Sequence, residues 1–103
     1  MLNVLLCGAK GRMGQAIAAA APMMAAEITA AIDEGDDPVA ALPGCDVVID
    51  FSVHTATVPM VEAAAAVGKP VVIGTTGHTE AEKAAILACT ERIPIVWAGN
   101  YSI

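Results

Sequence analysis

Short apolar runs recur along the chain, separated by alanine-rich stretches and by small clusters of Gly, Pro, Asp and Thr. Leu2–Cys7 is the first such run; its branched residues read as a buried strand. The pattern from Gly11 to about Ala21 is helical and is closed by Pro22. EITAAID (27–33) reads as a second strand, followed by a short polar turn or helical scrap that ends at LPG (42–44). DVVIDF (46–51) is a third strand, apolar on both faces as a central parallel strand should be. A helix is expected over roughly Thr57–Val67, stopped by Gly68 and Pro70. Pro59 is tolerated only near that helix's first turn, which makes Thr55 or Thr57 the expected N-cap. VVIGTT (71–76) is strand four. TEAEKAAILACTER (79–92) is a helix opened by a capping box of Thr79 and Glu82, and IPIVWA (93–98) is strand five. Strands alternating with helices through short connections specify an α/β fold, a parallel sheet covered on both faces.

Composition narrows the picture. A length of 103 residues suits one domain. Hydrophobic residues make up 56%, yet 22 residues are Ala and only three are aromatic, so the elements must pack closely around a thin core. A net charge of −6 argues against nucleic acid as a partner, because phosphate backbones need a basic surface. The opening MLNVLLCG lacks the basic start and long apolar run of a signal peptide. No stretch approaches the roughly 18 apolar residues of a membrane span, so a soluble, cytoplasmic protein with no membrane partner is expected. Cys7, Cys45 and Cys89 are odd in number and widely spaced, which fits reduced, buried thiols and no metal site.

The candidate chemistry begins in GAKGRMG. Gly8, Gly11 and Gly14 lie between a predicted strand and a predicted helix. Gly8 lets the chain turn sharply, Gly11 lets bare backbone approach a pyrophosphate, and Gly14 lets the helix lie close. The helix N-terminus then offers free N–H groups and partial positive charge to the phosphates. Asp33 ends the second strand nineteen residues beyond Gly14, where a ribose-binding carboxylate belongs. The acids that follow it, Glu34, Asp36 and Asp37, would repel a 2′-phosphate and favour NADH. Lys10 and Arg12 act in the opposite sense, so the expectation is NADH preferred with NADPH tolerated. Ligands of open parallel sheets sit beyond the carboxyl ends of strands, which adds DFSVHT, GTTGHT and AGNYS as candidate loops. Gly74 and Gly77 allow close approach there, while Thr75 and Thr76 can exchange hydrogen bonds with a carboxamide or a small substrate.

GAKGRMG, DVVIDFS, VVIGTTG and AGNYS, in this order and at these intervals, resemble dihydrodipicolinate reductase (4-hydroxy-tetrahydrodipicolinate reductase) of bacterial lysine and diaminopimelate biosynthesis, over essentially the whole chain. The resemblance implies an oxidoreductase of the Rossmann type that uses NAD(P)H to reduce a cyclic dihydrodipicolinate-type dicarboxylate to tetrahydrodipicolinate. Carried over by motif, Gly8, Ala9, Lys10, Gly11, Arg12 and Met13 would line the pyrophosphate and adenosine side, with Asp33 on the ribose. Gly74, Thr75 and Thr76 would meet the nicotinamide and substrate, Thr76 lying nearest the substrate. Ala98, Gly99, Asn100 and Tyr101 would hold the nicotinamide end. Relatives often place an arginine after the ribose-binding acid; Glu34 stands there in this chain. The chain is also shorter between Asp33 and Cys45 than many relatives, which implies a missing strand and a sheet order 2-1-3-4-5. The crevice would then fall between Cys7–Gly8 and Phe51–Ser52.

The resemblance places the family's proton donor in a second domain, in a His-His-x-x-x-Lys-type segment not found in these residues. That makes residues 1–103 a dinucleotide-binding domain with no catalytic residue of its own, inactive alone and open to association into a homo-oligomer. His54 and His78 have no partner visible in sequence and read as solvent-facing loop residues. The rival function is a non-catalytic nucleotide-binding or redox-sensing module on the same fold.

Overall fold

The structure, a computed structural model, describes residues 1–97. Leu2–Cys7 forms β1, Ala26–Ile32 β2, Val47–Asp50 β3, Val71–Ile73 β4 and Ile95–Trp97 β5. The helices are α1 (Arg12–Ala20), α2 (Pro38–Ala41), α3 (His54–Ala66) and α4 (Glu80–Cys89). The strands form one sheet in the order β2-β1-β3-β4-β5, every pair parallel, as the sequence implied. Pro22 closes α1 by opening a short 3-10 turn over Ala21–Met24. None of the described helices is long and apolar enough to cross a membrane.

β1 neighbours both β2 and β3: the connection from β1 to β2 runs one way across the sheet, and those from β2 to β3, β3 to β4 and β4 to β5 run the other. Right-handed crossovers therefore put α1 on one face and α2, α3 and α4 on the other. The second face carries the main core. Leu5, Val48, Val71 and Ile73 from the strands meet Met60, Val61 and Ala64 of α3 and Ile86 of α4. The face of α1 is thin: Gly14 is the buried residue of that helix, Val47, Ile49 and Val72 are half-buried, and Val96 is exposed. All three cysteines are free and buried, matching the expectation of small interior residues.

α3 departs from the sequence reading. It opens at His54 with Val53 as N-cap and no side-chain cap, not at Thr55 or Thr57. Thr57 is wholly buried within the helix, and its hydroxyl donates to Asp50. Pro59 consequently lies inside the helix and leaves the Thr55 carbonyl without its i→i−4 donor. α4 follows expectation: the Thr79 hydroxyl accepts from the Glu82 N–H at 3.1 Å, and Glu82 accepts from the Thr79 N–H at 2.7 Å. Thr79→Ala should lower folding stability by about 1 kcal/mol, read from a urea unfolding curve.

Candidate functional site

The chain reverses at Gly8, where φ is +82°, a conformation side chains rarely adopt. A Cβ there would overlap the Phe51 carbonyl and stand 2.9 Å from the Ser52 nitrogen. At Gly14 a Cβ would overlap the Gly8 carbonyl oxygen and come within 2.8 Å of Ala9 Cα, so this glycine seats α1 on the loop leaving β1. Gly11 differs from both. Among the described residues its Cβ would meet only the Gly8 carbonyl, at an ordinary 3.5 Å, and its φ of −73° suits any residue. Packing within the chain explains Gly8 and Gly14 but not Gly11. Gly11 is also the N-cap of α1, with no side-chain cap and no acid in the first turn, so the helix opens with unneutralised positive character.

Asp33 stands directly beside this loop. Gly8 and Ala9 donate their N–H groups to the Ile32 carbonyl at 2.9 and 3.3 Å, and the Lys10 N–H donates to Asp33 Oδ1 at 3.0 Å. The glycine loop is thus clamped to the end of β2, and the second oxygen of Asp33 stays free of the loop. Beside it lies a cavity of about 260 Å³ at the carboxyl ends of β1, β2 and β3, the switch point of the sheet. Gly8, Asp33, Glu34, Ser52, Thr55 and Met60 are among its lining residues, and the charged side chains on its wall are all acidic. Lys10, Arg12 and Met13 are exposed alongside but do not line it.

The remaining candidates form a second cluster at the ends of β3 and β4. The Phe51 ring covers Gly74 so closely that a Cβ there would overlap it. The Gly74 N–H and the Thr75 hydroxyl both donate to the Asp50 carbonyl, at 2.8 and 3.2 Å, which occupies the Thr75 side chain; Thr76 is exposed and free to meet a ligand. Asp50 itself is wholly buried and accepts from the Ser52 N–H at 3.1 Å, from the Ser52 hydroxyl, and from the Thr57 hydroxyl at 2.8 Å. Ala98, Gly99, Asn100 and Tyr101 lie outside the described residues.

A family model described as "Dihydrodipicolinate reductase, N-terminus" matches residues 2–101. The chain belongs to the dihydrodipicolinate reductase family. It is 45% identical to the 4-hydroxy-tetrahydrodipicolinate reductase of Akkermansia muciniphila, with all of this chain aligned to 42% of that protein. The enzymes of the same name from Thermomicrobium roseum and Anaeromyxobacter sp. are each 37% identical, with all of this chain aligned to 47% of each. The chain therefore spans about half the length of the curated relatives it matches. The latter two alignments run over 122 and 125 positions, so those reductases carry insertions that this chain lacks. The family binds a nicotinamide dinucleotide.

Two residues of this family member correct the sequence reading. His78 is no solvent-facing histidine: it is buried, its Nε2 stands 2.9 Å from the Thr57 hydroxyl, and it meets Trp97 edge-on with ring centroids 5.6 Å apart. His54, half-exposed on the first turn of α3, places Nδ1 2.8 Å from Glu82 Oε1. Both partners come from distant segments, which is why local pattern gave no sign of them. Asp50 was also missed. An acid ending an otherwise apolar strand was the available signal, because a buried carboxylate must find donors.

Burial lowers the His78 pKa below its ordinary 6.5, leaving the ring neutral at pH 7. Glu82 is held below its ordinary 4.5, first by the Thr79 N–H and then by His54. In both cases the unfolded chain takes up the proton more readily, so stability rises with pH. His78 loses its contribution as the pH falls through and below 6.5, and Glu82 as it falls below 4.5. The thermal midpoint should drop on acidification, and His78→Gln should flatten the upper part of that drop. Burial also pushes the Cys7 thiol, at the cavity wall, up to about 12, helped by the negative charge of Asp50.

Proposed function

We propose that these residues form the NADH-binding part of a cytoplasmic reductase that converts a dihydrodipicolinate-type substrate to tetrahydrodipicolinate in lysine and diaminopimelate biosynthesis. The observation carrying this reading is the shared cavity of Gly8 and Asp33 at the switch point, beside a Gly11 that internal packing leaves unexplained. The residues fit a dinucleotide. Its diphosphate would lie over Gly8–Met13 at the start of α1, with the ribose hydroxyls on the free oxygen of Asp33. Its nicotinamide end, with the substrate, would lie by Phe51, Gly74, Thr75 and Thr76 and run toward residues 98–101. Bound there, the dinucleotide supplies the hydride. No histidine, lysine or arginine lines the cavity, so among the described residues the work is binding and orientation.

The acidic wall supports NADH over NADPH. A 2′-phosphate on the adenosine ribose would meet Asp33, Glu34 and Asp36 in one cavity, and like charges at such range are repelled. Lys10 and Arg12 lie off the wall, close enough in sequence for NADPH to be tolerated. Calorimetric titration should show NADH binding about tenfold tighter, about 1.4 kcal/mol. NADPH binding tenfold tighter would overturn the preference.

A further inference from the structure

A network of polar groups runs beneath the loop after β4; Ser52 in it lines the cavity, but Asp50, Thr57 and His78 do not, and the dinucleotide reading makes no use of those three. Asp50 stands at its centre. The main-chain carbonyl of Asp50 holds the start of the loop, receiving the Gly74 N–H at 2.8 Å and the Thr75 hydroxyl at 3.2 Å. Its carboxylate, wholly buried, receives the Ser52 hydroxyl and N–H from the loop after β3, and the Thr57 hydroxyl at 2.8 Å from α3. A threonine hydroxyl has one hydrogen to give, and Asp50 takes it. The Thr57 oxygen must therefore accept from His78 Nε2–H at 2.9 Å. His78 closes the same loop at its far end and packs against Trp97 in a T-shaped arrangement. Thr76 and Gly77, between these two ties, are exposed.

We propose that Asp50, acting through Thr57 and His78, is the positioning residue that sets the 74–78 loop against the nicotinamide end of the bound dinucleotide. The proposal rests on the reading of that loop as the nicotinamide contact. A buried carboxylate is costly unless its oxygens are filled. Among the described residues, every donor filling them comes from Ser52 or Thr57, and Thr57 passes the constraint on to His78. The far end of the loop is thus set by Asp50, Thr57 and His78, none of which lines the cavity. Losing the Thr57 hydroxyl breaks the tie at His78 while leaving the main-chain tie at Gly74 intact, so the effect should fall on one end of the ligand alone.

Two measurements on the chain test this. In NMR spectra without nucleotide, the His78 Nε2 proton should be observable in the wild type and in Thr57→Ser, and lost to fast exchange in Thr57→Val. In titrations, Thr57→Val should weaken NADH about tenfold, the size expected for one buried hydrogen bond, while ADP, which lacks the nicotinamide end, binds within about twofold of wild type. Thr57→Ser should restore NADH binding. His78→Gln, which keeps Asp50 and Thr57, should show the same selective loss of NADH, and it carries the test if Thr57→Val does not fold. Equal weakening of NADH and ADP, or no weakening of either, would overturn the positioning role while the dinucleotide reading stands. A folded wild type that binds neither ligand would overturn both.

Discussion

Gly14→Ala and Gly8→Ala should each destabilise the chain by about 3 kcal/mol, whereas Gly11→Ala should leave its stability within about 1 kcal/mol of wild type. The three substitutions add the same methyl group to one seven-residue stretch, so the contrast comes from surroundings alone. At Gly14 the methyl group would run into the Gly8 carbonyl oxygen and Ala9 Cα, main-chain atoms that cannot yield without lifting α1 from its loop. Helix propensity favours alanine over glycine by about 1 kcal/mol, too little to offset that overlap. At Gly8 the methyl group meets the Phe51 carbonyl on the neighbouring strand end, and the φ of +82° adds strain that no rearrangement of the neighbour removes. At Gly11 the methyl group would meet, among the described residues, only the Gly8 carbonyl oxygen at an ordinary 3.5 Å. There the loss should appear in binding: a Cβ between the loop and a diphosphate should weaken NADH tenfold or more, an effect of about 1.4 kcal/mol upward. Urea unfolding reads the stabilities and calorimetry the affinities. Gly11→Ala with undiminished NADH binding would remove the ligand role of that glycine.

Asp33→Ala should weaken NADH by about tenfold to hundredfold, the range spanned by about 1.5–3 kcal/mol for hydrogen bonds to a charged group. Two contributions combine. The carboxylate would lose its bonds to the ribose hydroxyls, and the Lys10 N–H, held at 3.0 Å, would lose its acceptor and free the glycine loop. Asp33→Asn separates the two: the amide oxygen can still accept from Lys10, while the negative charge is gone. NADH binding should fall less than in Asp33→Ala, and NADPH should gain relative to NADH, because one of the carboxylates facing a 2′-phosphate has been neutralised. Parallel titrations of both variants with both dinucleotides measure this. A change equal for NADH and NADPH in Asp33→Asn would separate Asp33 from cofactor choice.

Much of this arrangement was legible in the sequence because it depends on local constraints. Short branched apolar runs such as Leu2–Cys7 and Val71–Ile73, bounded by turn residues, favour strands over helices, and short helical connections leave parallel pairing as the geometry that closes. Gly8 and Asp33 could be placed in one cavity because a strand–turn–helix unit fixes where the ends of adjacent parallel strands meet. Thr79 and Glu82 are three residues apart, and their capping box needs nothing else. The rest depends on contacts between segments. His78 reaches Thr57 from 21 residues away, and His54 reaches Glu82 from 28, so the pattern around either histidine holds no trace of its partner. The start of α3 was misplaced for a related reason. Thr57 looked like a cap because threonine caps helices, but the helix already runs from His54, and the Thr57 hydroxyl faces inward to Asp50 and His78, contacts from other segments. The outer wall of the cavity likewise comes from Thr55, Pro59 and Met60, whose approach is set by how α3 leans over the sheet.

The most direct test is an NMR titration of the folded chain with NADH, following each backbone amide. The amides of Gly8 through Met13, together with that of Asp33, should shift as NADH is added and saturate with one common affinity. A folded chain whose amides at Gly8–Met13 and Asp33 stay unmoved, or whose shifts gather elsewhere, would contradict the account.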